Sequence, residues 1–250
     1  MIEIANADCV QYLKEMPEKS VDLIVTSPPY NCGIQYPSWN DSLPWNDYLD
    51  WCQTWIHELF RVCKPDGRIA INVLMEMGIN HNQCRVFPSM EFTRMIQTAG
   101  FTVCGVPLWL DSHKSRLTAW GSWRSASCPY IYNPAEIVIL AYKQSRKKLD
   151  AGISTISKND FISGTSGIWR IQPETRPLTA AAFPVELPKL IIDLLSYKGD
   201  VVIDPFCGSG STGIACLREE RNFIGIEIDS EYCKIARQRI EKERARLCKM

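Results

Sequence analysis

Residues 27–30 read Ser-Pro-Pro-Tyr and follow the apolar run Leu23-Ile24-Val25-Thr26. Consecutive prolines cannot donate to a strand ladder and fix their own backbone, so the run must end there. The tip is left rich in acceptors: Ser27 Oγ, and a Pro28 carbonyl with no competing amide beside it. Such a pair suits a nitrogen that offers two N–H donors. The exocyclic amine of a nucleobase is one, and its lone pair is drained into the ring. Holding both hydrogens favours a tetrahedral nitrogen and aims the lone pair at an electrophile. Tyr30 supplies a face for the ring to stack on and a π-cloud to soften incoming positive charge. Pro29 keeps the tip stiff.

A second constellation lies near the other end. Gly208, Gly210 and Gly213 spell G-x-G-x-x-G after an apolar run and before a helical pattern, and Glu227 follows 19 residues after Gly208. Glycines let a ligand approach the backbone, and an acid ending the next strand accepts from ribose hydroxyls. The pattern points to an adenosine-containing ligand. Asp204 stands beside the turn. A carboxylate there repels a pyrophosphate but pairs with an ammonium group, which favours S-adenosyl-L-methionine over a nicotinamide cofactor. Backbone amides at the helix start can hold that ligand's carboxylate, with the Ser211 and Thr212 hydroxyls nearby. A methylated aryl ammonium loses its proton readily to water, so a neutral Ser27 suffices.

Both constellations need a scaffold. The chain of 250 residues is 46% hydrophobic, with a mean hydropathy of −0.14. No apolar run approaches the ~18 residues of a membrane span, and the first residues lack the basic and apolar regions of a signal peptide. Eleven cysteines, odd in number and without a C-x-x-C pair, read as reduced thiols of a cytoplasmic protein. With three histidines, none at ligand spacing from a cysteine pair, no metal is expected. Residues 21–27 and 68–74 read as strands. Between them Trp45, Tyr48, Trp51, Trp55 and Leu59 fall at helical spacing, capped by Asn46 or Asp47 and facing a core. Residues 90–99 form another expected helix. From 105 to 182 Trp, Ser, Pro and Gly rise and one clear strand, "AEIVILAYK", stands out. Order returns at Phe183 with a helix, a strand, the glycine turn, a further strand and a C-terminal helix. The reading is a mostly parallel α/β sheet with an irregular segment inserted in its middle.

"TSPPY" together with "DPFCGSG" resembles the S-adenosylmethionine-dependent DNA amino-methyltransferases, whose products are N4-methylcytosine or N6-methyladenine. The order of the two motifs is similar to the permuted β class of that family. The resemblance implies a Rossmann-like, circularly permuted, seven-stranded sheet: a catalytic half at 1–104, a target-recognition insert at 105–182 and a cofactor-binding half at 183–250. It implies that Asp8-Cys9 lies by the cofactor adenine. Asp204, Phe206, Gly208, Ser209 and Gly210 match the methionine-side loop, Glu227 the ribose acid, and "FPVELPKLII" from Phe183 a helix packed over the cofactor. Serine at position 27, rather than aspartate, resembles the cytosine-N4 members. One departure is plain: relatives often carry a histidine shortly before the "FP", where this chain reads "LTAAAFP".

Twenty-eight basic and 28 acidic residues cancel, which argues against non-specific coating of nucleic acid but not against a local basic face. "HKSRLTAWGSWR" has three basic residues and no acid, and it falls in the insert. Lys114, Arg116, Trp120 and Arg124 are therefore expected at double-stranded DNA, with the target base flipped out of the duplex. A restriction endonuclease encoded nearby is a partner the resemblance allows; oligomeric state is left open. Rival readings are adenine-N6 transfer by the same mechanism, and a catalytically dead DNA-binding module on the same fold. A nicotinamide oxidoreductase leaves the Pro-Pro tip unexplained. A carbon-5 cytosine enzyme lacks its Pro-Cys nucleophile here.

Overall fold

The computed structural model describes residues 1–79, 84–110, 122–129, 131, 133–174, 178–180 and 182–249. The chain enters through strand β1 (Ile2–Asn6), helix α1 (Cys9–Glu15) and strand β2 (Val21–Thr26), every residue of which is buried. Helix α2 (Trp45–Val62) leads into β3 (Cys63–Leu74), the hairpin strands β4 (Met77–Ile79) and β5 (Cys84–Val86), and α3 (Pro88–Thr98). Three strands follow, β6 (Thr102–Gly105), β7 (Leu108–Leu110) and β8 (Ala135–Tyr142), then α4 (Lys158–Gly164) and β9 (Ile168–Trp169). The last part is α5 (Glu186–Leu195), β10 (Val201–Asp204), α6 (Ser211–Arg218), β11 (Asn222–Glu227) and α7 (Ser230–Leu247).

One sheet runs β1-β11-β10-β2-β3-β8-β7-β9, with β6 also paired to β8. Strands β6 and β7 occupy successive stretches of the same edge of β8, opposite residues 140–142 and 135–137, so together they fill one position. That leaves seven positions plus the two-residue β9. Pairing is parallel from β1 through β3 and antiparallel where β8 joins. The interval 105–182, expected as an insert, thus supplies β7, β8 and β9 to the sheet.

Alternate side chains of the buried strands feed two cores. Ile24, Ile69, Ile71 and Ile203 pack under α1, α2 and α3 on one face. Leu23, Val25, Ala70 and Val202 pack under α5 and α6 on the other. Residues buried on both faces explain why β2 reads as a continuous apolar run. On α2 Tyr48 and Trp55 of the aromatic stripe are fully buried, while Trp45 and Trp51 are half-buried at its edge. The helix starts differently from expectation: Pro44 precedes it with no side-chain cap, and Asp47 lies in the first turn.

Because β1, β11, β10 and β2 are all parallel neighbours, their carboxyl ends open on one edge. The chain order reverses direction between β10 and β2, the place where open α/β sheets leave a crevice. Helix α6 lies close over this region because Gly213 has no side chain. A Cβ there would meet Phe223 and Ile240 at 2.8 Å. Gly213→Val should cost ~1–3 kcal/mol through overpacking, read as a lower midpoint in chemical denaturation; an unchanged midpoint would show that α6 has slack.

Candidate active site

The tip of β2 and the glycine turn after β10 meet at the crevice. Ser27, Pro29, Phe206, Gly208 and Glu227 line one cavity, joined by Asp8 and Cys9 from the start of α1. Residues from opposite ends of the chain therefore share a wall. Asp8 caps α1, its Oδ1 accepting from Gln11 N at 3.0 Å. Burial, with Asp8 beside it, pushes the Cys9 thiol up, so it stays protonated and lines the wall as an apolar group. Glu227 accepts the Gly208 amide on one oxygen and the Asp229 amide on the other, each at 2.9 Å. Each oxygen keeps a lone pair for a ligand hydroxyl. Burial raises this carboxyl despite the two amides.

Sequence reading missed several residues of this cavity. Trp51 from α2 packs 4.3 Å from Trp39 and 5.6 Å from Phe206, measured between ring centroids, and all three line the wall. Thr179 also lines it, four residues before Phe183. Buried Thr179 Oγ1 and Trp39 Nε1 have no hydrogen-bond partner among the described residues. Unpaired buried polar atoms on a cavity wall are what a polar ligand would satisfy.

The loop that carries Trp39 is held by Asp41. Its carboxylate accepts from the backbone amides of Asn31 at 2.8 Å and of Cys32 and Ile34 at 3.0 Å. Asn31, at φ 58°, returns bonds to Leu43 through its own amide group. Ser38 Oγ donates to Asp229 at 2.7 Å, pinning the loop to the start of α7. The loop is thus tied down by bonds within the chain itself.

Beneath the cavity lies Asp204, fully buried. Thr26 Oγ1 donates to its Oδ1 at 2.7 Å, Thr212 Oγ1 to its Oδ2 at 2.6 Å, and the Phe206 amide to Oδ1 at 3.1 Å. It thus clasps β2 and α6 and does not line the cavity above. Ser209 and Ser211 are likewise buried, facing Arg239 of α7 rather than the cavity. Gly210, at φ 81°, turns the chain into α6 with Ala236 close enough to exclude a side chain.

A second cavity of about 450 Å³ opens on the other side of the tip. Ser27, Pro28 and Tyr30 line it, with Phe183, Asn72 of β3 and Glu136 of β8. Ser27 and Tyr36 belong to both cavities. Tyr30 Oη lies 2.7 Å from Ser27 Oγ, donates to Glu136 Oε2 at 2.9 Å, and accepts from Asn72 Nδ2 at 2.8 Å. Burial, then the Glu136 carboxylate, hold the Tyr30 hydroxyl well above its ordinary range. Asn72 Oδ1 is buried without a partner among the described residues. From below, Tyr48 Oη donates to the Pro29 carbonyl at 2.7 Å and fixes the tip.

Residues 21–238 match the protein family described as DNA methylase. The chain belongs to that family. Its similarity to the type II methyltransferase M.MjaVI of Methanocaldococcus jannaschii is 38% identity over 65% of this chain and 82% of the relative. DNA adenine methyltransferase YhdJ of Escherichia coli K12 is 30% identical over 95% of this chain and 82% of its own. Among solved structures, the DNA modification methylase TTHA0409 of Thermus thermophilus, complexed with S-adenosyl-L-methionine, superposes with a TM-score of 0.78. It is 26% identical, and 97% of this chain and 94% of that one are covered.

In this DNA methylase the expected nucleic-acid residues are only partly in view. Lys114, Arg116 and Trp120 lie outside the described residues. Arg124 is exposed, its guanidinium 5.8 Å from the Trp123 ring centroid. The basic run at 143–148 is partly structural. Lys143 Nζ donates to the Phe60 and Cys63 carbonyls at the end of α2, and Lys148 bridges Asp22 and Asp200.

Asp204 gives the methylase a pH signature. Burial pushes its carboxyl up to about 6 from its ordinary 3.8, against the pull of its three donors. The folded chain then binds the proton more tightly than the unfolded chain. This group's stabilisation is present below pH ~4 and is lost as pH rises through ~6. Stability of the unaltered protein relative to Asp204→Asn should therefore increase as pH falls from 7.5 to 5, measured by thermal denaturation. A pH-independent gap would contradict the placement.

Proposed function

We propose that the chain transfers a methyl group from S-adenosyl-L-methionine to the exocyclic N4 amine of cytosine in double-stranded DNA. One observation carries the reading: Ser27 stands in the partition between two cavities, with an acceptor-rich tip behind it. The first cavity fits the methyl donor. Glu227 offers carboxylate lone pairs to the ribose, the Trp39, Trp51 and Phe206 rings offer faces, and the Thr179 hydroxyl is in need of a partner. When bound, the donor supplies an electrophilic methyl on a sulfonium. Asp8, Cys9 and Gly208, on the same wall, are assigned to this ligand. Asp204, Ser209, Gly210, Ser211 and Thr212 act from beneath, by holding the turn in shape.

The second cavity receives the base. It has to leave the duplex, at a cost of a few kcal/mol in unstacking, offset by contacts from the 105–182 interval, for which Lys114, Arg116, Trp120 and Arg124 are the candidates. One amine hydrogen is accepted by Ser27 Oγ. With the Pro29 carbonyl already bonded to Tyr48, the Pro28 carbonyl takes the other. The nitrogen lone pair then points through the partition for in-line displacement. Phe183 and Tyr30 border the base. Serine at position 27 favours cytosine. The adenine reading stays as the rival, since the same geometry would serve N6 and one relative bears the name of an adenine enzyme.

Two results test this. Genomic DNA from a host expressing the protein, sequenced for modified bases, should carry N4-methylcytosine at one recurring site; N6-methyladenine instead would replace cytosine with adenine. Ser27→Ala should slow single-turnover methyl transfer by about tenfold or more, or ~1.4 kcal/mol of barrier. Donor affinity should change little in titration calorimetry, and a variant as fast as the unaltered protein would remove Ser27 from the reaction.

A further inference from the structure

Serine is an ambiguous choice for the tip, because a hydroxyl can donate as well as accept. A donor aimed at the exocyclic amine would compete for the lone pair that must attack. The hydrogen bonds around Tyr30 remove that ambiguity. A carboxylate only accepts, so across the 2.9 Å contact with Glu136 Oε2 the single Tyr30 hydroxyl hydrogen points to Glu136. The other acceptor in its reach, the Asn72 backbone carbonyl, is farther off at 3.4 Å. Asn72 Nδ2 donates both to Tyr30 Oη at 2.8 Å and to Glu136 Oε2 at 2.7 Å, closing the triangle. With its hydrogen spent, Tyr30 Oη can only accept from Ser27 across their 2.7 Å contact.

We infer that Glu136, acting through Tyr30, turns the Ser27 hydroxyl inward and makes its oxygen an obligate acceptor toward the exocyclic amine of the target base. Glu136 is then a positioning residue for methyl transfer, one strand removed from the catalytic tip. The chain of bonds runs from the amine to Ser27, to Tyr30, to Glu136, each link polarising the next. A fixed carboxylate thereby makes a neutral serine behave like a carbonyl acceptor. Its burial on β8, a strand otherwise built from apolar and aromatic side chains, makes sense on this ground. This inference rests on the proposed function, since it concerns the same reaction.

The test is a set of single-turnover methylation rates on amplified, unmethylated DNA several kilobases long. Glu136→Gln keeps the shape but lets the side chain donate to Tyr30, which frees the Tyr30 hydrogen for Ser27. It should slow transfer at least tenfold, with S-adenosylhomocysteine affinity and melting temperature close to those of the unaltered protein. The decisive comparison is made in a Ser27→Asp background, where an ionised carboxylate can only accept and needs no orienting partner. There Glu136→Gln should change the rate less than twofold. A second cycle with Tyr30→Phe, which cuts the link, should likewise abolish the Glu136→Gln effect, and it serves if Ser27→Asp is inactive. Equal losses in every background would mean that Glu136 only supports the fold, overturning the inference. An unaltered rate for Glu136→Gln would do the same. No transfer by the unaltered protein to any DNA would remove both the inference and the function it rests on.

Discussion

Parallel pairing of β10 with β2 is the constraint from which the site follows. It sets Val202 against Leu23 and Ile203 against Ile24, strands from opposite ends of the chain, so the turn after each must open at the same edge. Asp204 then locks the two turns in register through Thr26 on one side and Thr212 on the other. A carboxylate kept from water is costly, and its raised proton affinity is the sign of that cost. Three donors offset it. Without that clasp, the proline tip and the glycine turn would be neighbours with no fixed separation, and a reaction between groups held on each depends on separation.

Much of this was legible locally. Apolar runs buried on both faces, the helical spacing of Trp51 and Trp55, and the glycine turn are features of contiguous sequence, and each element lies where those patterns put it. What was not legible depends on pairing across long stretches. Asp204 reads as a ligand group because it adjoins the glycine turn; that Thr26, 178 residues away in the chain, holds one of its oxygens becomes visible only in the folded sheet. The first strand and helix, β1 and α1, stand out less, because β1 mixes polar with apolar residues and α1 is only seven residues long. The strand "AEIVILAYK" is legible in the sequence, but its antiparallel seat beside β3, which brings Glu136 to Asn72, is not. A signal was there. Each is a polar residue in a run whose neighbours are buried and apolar, and such a residue has to find a partner.

The two cavities divide the labour by chemistry. Around the first, the Trp39 ring and its unpaired Nε1 stand on a loop fastened by Asp41 and Ser38, while Trp51, Phe206 and Thr179 come from other elements. Around the second, a closed hydrogen-bonded triangle of Tyr30, Asn72 and Glu136 backs the tip and leaves Asn72 Oδ1 for whatever enters. Ser27 borders both, and the rigidity of Pro28 and Pro29, with Tyr48 beneath, keeps it in place.

The most direct measurement is a crystal structure with S-adenosylhomocysteine. Its adenosine should lie between Glu227 and the Trp39–Phe206 wall, and its sulfur should face Ser27 with room between them for one methyl group and an incoming nitrogen. A sulfur turned away from Ser27, or a ligand seated outside the cleft between β10 and β2, would contradict the shared partition on which the whole reading stands.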